Sequence, residues 1–388
     1  MSSLSRRSIL KLAAAGATGL LSSELLGACG GRGSRPTGLD PNALKPFDSK
    51  RSKRAATGLP PRIAWASTAD SEFFLALGRG MQRAATERGV DYVTATSGND
   101  PAKHVDQMNA FLGQGVGSLA MQPLNPDADT LVLQRAIDKG ICTQGIITAP
   151  STMQVVASQY QIGYDQGKAA ADYVTAELGG NAKVLYFNLD SASPQLKIRH
   201  NGVLDGLATG GGGLKVVGDL TVADISTTSG FNTMMSALQT HSDIKVVLGG
   251  DTIVVGAFKA LKDSGKLTDD MFLSGVDGDN EALELITAGG AYKLSIAFAW
   301  TLMGYGLGQF AADWIEGRDV PQLLVARGVK LDSASAVEQF ATASADPASV
   351  YADRPRYEKY LPLYGNVSYA SRHDYWTSPV NPPPGSTT

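Results

Sequence analysis

The stretch Arg62-Ile63-Ala64-Trp65-Ala66-Ser67-Thr68-Ala69-Asp70-Ser71-Glu72-Phe73-Phe74 decides how this chain reads. Ile63–Ala66 is a short apolar run and Ser67–Ser71 a polar loop. Phe74, Leu77, Met81, Ala84 and Ala85 then recur at the spacing of one helical face. Asp70 or Ser71 can cap that helix, and Glu72 sits in its first turn, where the dipole favours negative charge. The product is a strand, a loop and a helix, with two aromatic rings just past the carboxyl end of the strand. Open α/β sheets bind ligands there. Phe74, on the apolar face, suits either the core or a ligand; Phe73 lies off that face and its ring needs another use.

The same strand–helix beat continues outward. Strands are expected at Ile63–Ala66, Tyr92–Thr96, Ser118–Gln122 and Thr143–Ile147, with helices opened by Asp100-Pro101 and Asn125-Pro126. A capping side chain followed by proline at the first helical position is a specific start signal. A second run starts near Val155, with strands at Val155–Ser158, Val184–Asn188, Val216–Leu220, Val246–Leu248 and Phe272–Val276. Its helices fall near 163–178, 194–208, 230–240 and 252–264. Two such runs imply two parallel sheets covered by helices, an α/β chain of two similar lobes. Gly210–Gly213 precedes a strand instead of opening a helix, so it reads as a turn and not a phosphate loop. Gly304-Tyr305-Gly306-Leu307-Gly308 falls inside a helical pattern and fails as a dinucleotide fingerprint. After Val329 the beat stops, yet Tyr351, Tyr357, Tyr360, Tyr364, Tyr375 and Trp376 make the end too aromatic for a disordered tail.

The chain has 388 residues, 43% of them apolar, and a formal net charge of −3, which favours neither nucleic acid nor an anionic membrane surface. Its start is an address. Ser5-Arg6-Arg7-Ser8-Ile9-Leu10-Lys11 resembles a twin-arginine export motif, followed by an apolar run, Leu12 to Leu21, too short to span a bilayer. Leu26-Gly27-Ala28-Cys29 resembles a bacterial lipobox, and acylation at Cys29 would anchor the chain stably. Residues 30–61 read as a flexible tether. Cys142 then remains as a lone core thiol, and His104, His200, His241 and His373 form no visible metal cluster.

The residues that follow the expected strands are polar, aromatic or glycine: Ser67–Phe74, Ser97–Asn99, Gln122–Asn125, Thr148, Asn188–Ser193 with Arg199, Asp224, Gly250-Asp251 and Asp277–Asn280. All are expected at one edge of their sheets. This is the composition of a hydrogen-bonding site with aromatic walls. No nucleophile is paired with a base and no nucleophile elbow is present. His200, beside Arg199, is the one candidate catalytic histidine and reads more simply as a solvated helix residue.

Over Arg62 to Leu331 the chain resembles the sugar-type periplasmic solute-binding proteins of the ribose- and galactose-binding family. Ser71-Glu72-Phe73-Phe74 stands where that family has Asn-Pro-Phe-Phe, and Gln122-Pro123 in place of its Asn-Pro. Gly167–Tyr173 matches the helix after the first crossing, Arg199 the ligand-binding arginine, Gly249-Gly250-Asp251 the Asn-Asp turn, and Gly275–Gly278 its Gly-Phe-Asp-Gly. The resemblance implies a type 1 periplasmic binding protein fold with three crossings between lobes. Residues 62–161 and 299–325 would form the N-terminal lobe, and 162–298 and 326–331 the C-terminal lobe. Residues 332–388 would be an extension packed on the outside. It also implies a ligand site of Ser71, Phe73, Phe74, Gln122, Thr148, Arg199, Asp251, Asp277 and Phe298. No cofactor and no metal is implied, and the chain would be a monomer. A sugar or polyol would be captured outside the cytoplasmic membrane and passed to the permease of an ATP-binding-cassette importer; a ligand sensor facing a signalling receptor is the alternative. Ile147-Thr148 replaces an Asp-Arg pair of the ribose binders, and Phe298 stands where they carry a binding glutamine. The pocket is therefore expected to be less charged and more aromatic than a pentose or hexose site, which leaves room for a less polar, aromatic-type solute. A DNA-reading module ahead of Arg62 would make a repressor, but the export signal occupies that place.

Overall fold

Most strands in this chain are parallel and buried, because helices cover both sheet faces. The computed structural model describes residues 56–146, 151–190, 194–222 and 224–364, which fall in one compact unit. The first run is β1 (Arg62–Ser67), α1 (Glu72–Glu87), β2 (Asp91–Thr96), α2 (Pro101–Gln114), β3 (Ser118–Met121), α3 (Pro126–Asp138), β4 (Cys142–Ile146) and β5 (Met153–Val156). The second is α4 (Gln159–Glu177), β6 (Ala182–Asn188), α5 (Pro194–Ala208), β7 (Leu214–Thr221), α6 (Thr227–Thr240), β8 (Ile244–Leu248), α7 (Asp251–Asp263), β9 (Phe272–Asp277), α8 (Asn280–Ala288) and β10 (Tyr292–Ala297). Then come α9 (Trp300–Ile315), β11 (Leu323–Val325), β12 (Val329–Leu331), α10 (Ala334–Ala345), α11 (Pro347–Ala352), α12 (Arg354–Tyr360) and β13 (Leu363–Tyr364).

These strands form a seven-stranded sheet, β13-β11-β5-β4-β3-β1-β2, and a six-stranded sheet, β12-β10-β9-β8-β6-β7. Only the edge strands β13 and β12 run antiparallel to their neighbours. The chain passes between sheets after β5, β10 and β11, the three crossings of the type 1 periplasmic binding fold. It passes a fourth time through α10–α12 to β13, because β13 pairs with β11 in the first sheet. In one place the strand–helix beat misleads. The strand near Val155 does not open the second run; it is β5, pairing Ile146 with Val155 in the first sheet. Only residues 147–152 lie between β4 and β5, too few for the usual crossover helix, so the rhythm breaks inside a lobe.

Local chemistry explains the helix starts. Asp100 accepts from the Ala102 and Lys103 amides at the head of α2, and Asn125 from the Ala128 amide at the head of α3, each with proline next in line. The apolar stripe of α1 buries Leu77, Met81, Ala84 and Ala85. Two pairs of helices approach closely at glycines. A Cβ on Gly80 would lie 2.2 Å from the Thr301 carbonyl oxygen, and one on Gly304 would lie 2.1 Å from that of Leu77, so α1 and α9 meet backbone to backbone. A Cβ on Gly163 would lie 1.9 Å from the Arg199 carbonyl oxygen, which seats α5 tightly on α4.

Beyond β12, α10–α12 pack on α8 and α9. Tyr351 and Tyr357 stack edge-on 5.2 Å apart, and Arg354 lies over both rings. Cys142 is fully buried and unpaired, with its thiol pushed up to about 12 by burial.

Candidate ligand cleft

The strand orders place the site. In the first sheet β1 lies between β3 and β2, and in the second β6 lies between β8 and β7, so each sheet has a switch point where neighbouring loops depart to opposite faces. The loops after β1 and β3 carry Ser71–Phe74 and Gln122–Asn125. Those after β6 and β8 lead to Arg199 and Asp251, and Asp277 ends β9.

Aromatic rings form one continuous chain. Trp65 of β1 lies 6.3 Å from Phe74, Phe74 lies 4.5 Å from Phe73, Phe73 meets Trp300 edge-on at 4.5 Å, and Trp300 lies 4.6 Å from Phe298. The glycine contact between α1 and α9 holds the starts of these helices side by side, which brings Phe73 to Trp300. Phe73, Phe74 and Trp300 are half-buried, whereas Phe298, just past β10, is buried. Ser71 is the exposed N-cap of α1 but makes no side-chain cap bond, while Asp70 accepts from the Thr96 hydroxyl.

The charged groups come from the second sheet and its helices. Asp277 closes β9 with φ 115°, followed by Gly278 at φ 80°. A side chain held in that left-handed region costs roughly 1–3 kcal/mol and persists where the surroundings impose it. Here the imposing group is Asp251, fully buried at the start of α7. One of its oxygens accepts from the Gly278 amide (2.7 Å), the Asp279 amide (3.0 Å) and the Ser295 hydroxyl (2.6 Å); the other accepts from the Tyr292 hydroxyl (2.8 Å). Burial pushes Asp251 up to about 6, against the pull of those hydroxyls. Asp251 therefore spends both oxygens inside the protein, holding the turn that presents Asp277.

Asp277 itself has no hydrogen-bond partner among the described residues. Burial pushes it up to about 7, with the Arg199 charge working the other way. Arg199 gives its Nε–H to Gln159 at 2.9 Å, and Gln159 is itself buried at the head of α4. Gln122 is half-buried, and its Oε1 is enclosed with no partner among the described residues. Thr148 and Cys29 lie outside the described residues. One contact joins the two sides at the rim: Asn280 of α8 donates to Glu72 of α1 at 2.6 Å.

His200 is not a free helix residue. Its Nδ1 lies 2.9 Å from Asp190 and its Nε2 2.8 Å from Asp219, whose other oxygen accepts from Asn188. Gln159, the Glu72–Asn280 contact and this His200 clamp carry no sequence signal, since each depends on residues far apart in the chain. Trp300 had one: it stands at a helix start two residues beyond Phe298. Among the described residues no group of His, Cys, Asp and Glu is placed to hold a metal ion, and no helix is long and apolar enough to cross a membrane.

The model of a periplasmic binding protein domain matches residues 63–329, most of the chain. The chain belongs to this family. Its members are binding proteins rather than enzymes. Among curated relatives, the ribose import binding protein of Bacillus subtilis (strain 168) is 27% identical over 296 residues, 76% of this chain and 92% of that protein. A putative rhizopine-binding protein of Rhizobium meliloti is 28% identical over 253 residues, covering 63% of this chain and 80% of that one. Among solved structures, a periplasmic ribose transporter component from Conexibacter woesei superposes with TM-score 0.64 at 18% identity, over 75% of this chain and 97% of its own. A solute-binding protein from Bacillus halodurans C-125 with bound myo-inositol gives 0.63 at 19%, over 74% and 99%. The family match ends at Val329, in β12, so α10–α12 and β13 lie beyond it.

Proposed function

We propose that this periplasmic binding protein captures a small sugar or polyol between its two lobes for an ATP-binding-cassette importer, lipid-anchored through Cys29 on the outer face of the cytoplasmic membrane. The observation that carries the reading is the pairing of an aromatic wall with polar groups that keep bonding capacity: among the described residues Asp277 and the Gln122 Oε1 have no hydrogen-bond partner, and Arg199 gives only its Nε–H, to Gln159. Phe73 and Trp300 offer ring faces and edges to C–H surfaces; Asp277, Arg199 and Gln122 offer hydrogen bonds to hydroxyls. Charge-assisted bonds to Asp and Arg are stronger than neutral ones, and a ligand lacking the matching hydroxyl would leave them buried and unpaired. Ser71 at the head of α1 and Phe74 complete the reading as neighbours of this wall, and Thr148 stays in it from the sequence alone. Asp251 acts behind it by fixing the Asp277 turn, and Phe298 by backing Trp300. The ribose, rhizopine and inositol ligands in the relatives' names support a polyhydroxylated ring as the class.

The chain of rings favours, within that class, a ligand with a broad C–H face over one rich in charge. Closure would be a hinge motion biased by ligand contacts to both lobes. Titration calorimetry of the folded chain with D-ribose, D-apiose, D-allose, myo-inositol and a methylated inositol tests the reading. Heat of binding from at least one of them supports it, and silence from all, with cooperative unfolding retained, refutes it. For the anchor, a Cys29→Ala chain expressed in its source should leave the membrane fraction; retention there would contradict lipidation at Cys29.

A further inference from the structure

Behind Gln122 lies a polar pair that the ligand wall does not use. His104, in the first turn of α2, is fully buried, and neither ring nitrogen has a hydrogen-bond partner among the described residues. Asp129, in the first turn of α3, is almost fully buried. Its Oδ2 reaches back to accept the Leu124 amide at 2.8 Å and the Asn125 amide at 2.9 Å, while its Oδ1 has no partner among the described residues. The two side chains interact electrostatically, and the His104 ring lies beside the backbone of Gln122. Burial drives the imidazole toward its neutral form and pushes the carboxylate upward, so the pair is not an ordinary surface ion pair. The buried part of the α2–α3 junction is mainly apolar, with Met108, Phe111, Val132 and Leu133, while Arg135 of α3 donates to Asn109 of α2 on its exposed side. Two polar side chains sunk at its edge are costly unless they secure something.

We propose that His104 and Asp129 are a positioning pair for the loop Gln122–Asn125. Asp129 holds two of its amides and the buried His104 ring packs beside the Gln122 backbone, so together they set where the Gln122 side chain projects. The proposal rests on Gln122 touching ligand, and it makes ligand selectivity depend on two residues that do not touch the ligand. Without the pair, Asn125 would still cap α3, but the Leu124 and Asn125 amides would lose their acceptor and the Gln122 backbone its buried neighbour.

Amide exchange followed by mass spectrometry tests the placement without any ligand. In His104→Leu, exchange across 122–125 should quicken by about tenfold while β1 and β3 keep their protection, and His104→Gln, which restores a neutral donor and acceptor, should return the loop to wild-type exchange. Unchanged loop exchange in His104→Leu overturns the proposal. So does an equal rise throughout the first sheet in both variants, which would make His104 a packing residue. Calorimetry with D-ribose and myo-inositol forms a second arm, in which His104→Leu should weaken binding as much as Gln122→Ala while His104→Gln does not. If wild type binds neither sugar, the sugar reading suffers, but the exchange result still decides the role of the pair.

Discussion

At the scale of single residues, Asp277 and Asp251 divide the work of one turn. Asp251 is satisfied four times over, whereas Asp277 keeps its carboxylate for something else. Asp277→Asn should therefore weaken ligand binding by roughly 10- to 100-fold, since a charge-assisted bond becomes a neutral one. Asp251→Ala should instead lower stability, by about 3 kcal/mol or more, because two amides and two hydroxyls lose their acceptor. Chemical denaturation separates the two outcomes. The pair also has a pH signature. Both groups lie above the ordinary value of 3.8 in the folded chain, Asp277 at about 7 and Asp251 at about 6. The folded state then binds more protons than the unfolded one within that window, so stability falls as pH rises from about 4 to about 7 and levels off above it. Asp277→Asn should shrink that slope, leaving the part that ends near 6. Melting temperatures across this range check the sign.

At the scale of elements, the aromatic wall is made by two helix starts pinned together. Phe73 and Trp300 meet because Gly80 and Gly304 let α1 and α9 touch backbones. Gly304→Ala, whose Cβ would press on the Leu77 carbonyl, should destabilise the fold and separate the rings, read as a lowered melting temperature and weaker binding together. Phe73→Ala and Phe298→Ala should part company. The first is half-buried and should cost about tenfold in affinity with little stability; the second is buried and should cost about 3–5 kcal/mol of stability. The helices and the apolar stripe of α1 were legible in the sequence because periodicity and Asp-Pro or Asn-Pro caps are local signals. The membership of β5 was not, because sheet partners are chosen by tertiary packing and the connection after β4 is too short to contain the usual helix. Phe73 was marked by falling off the helical stripe, and Asp277 by its place after a strand. The structural duty of Asp251, the Gln159 support of Arg199 and the His104–Asp129 pair need contacts across tens of residues, which no spacing reveals.

At the scale of the whole molecule, two lobes share a rim contact, Glu72 with Asn280, and a chain that crosses between sheets a fourth time. The extra passage through α10–α12 touches α8 on one lobe and α9 on the other. Tyr357, fully buried against α9, anchors it. Asn280→Ala should leave unfolding unchanged and speed ligand release by a few-fold, since an exposed polar contact is worth about 0.2–1 kcal/mol but is made only when the rims meet. Stopped-flow tryptophan fluorescence, with Trp300 in the wall as reporter, measures it. The central claim is that an aromatic wall facing Asp277 and Arg199 binds a polyhydroxylated ring. Its most direct measurement is calorimetry of wild type and Asp277→Asn against the same sugars and inositols. Binding by wild type to at least one of them, weakened at least about tenfold in Asp277→Asn, is the predicted result; equal affinity in the two proteins, or no binding by a folded wild type, would contradict it.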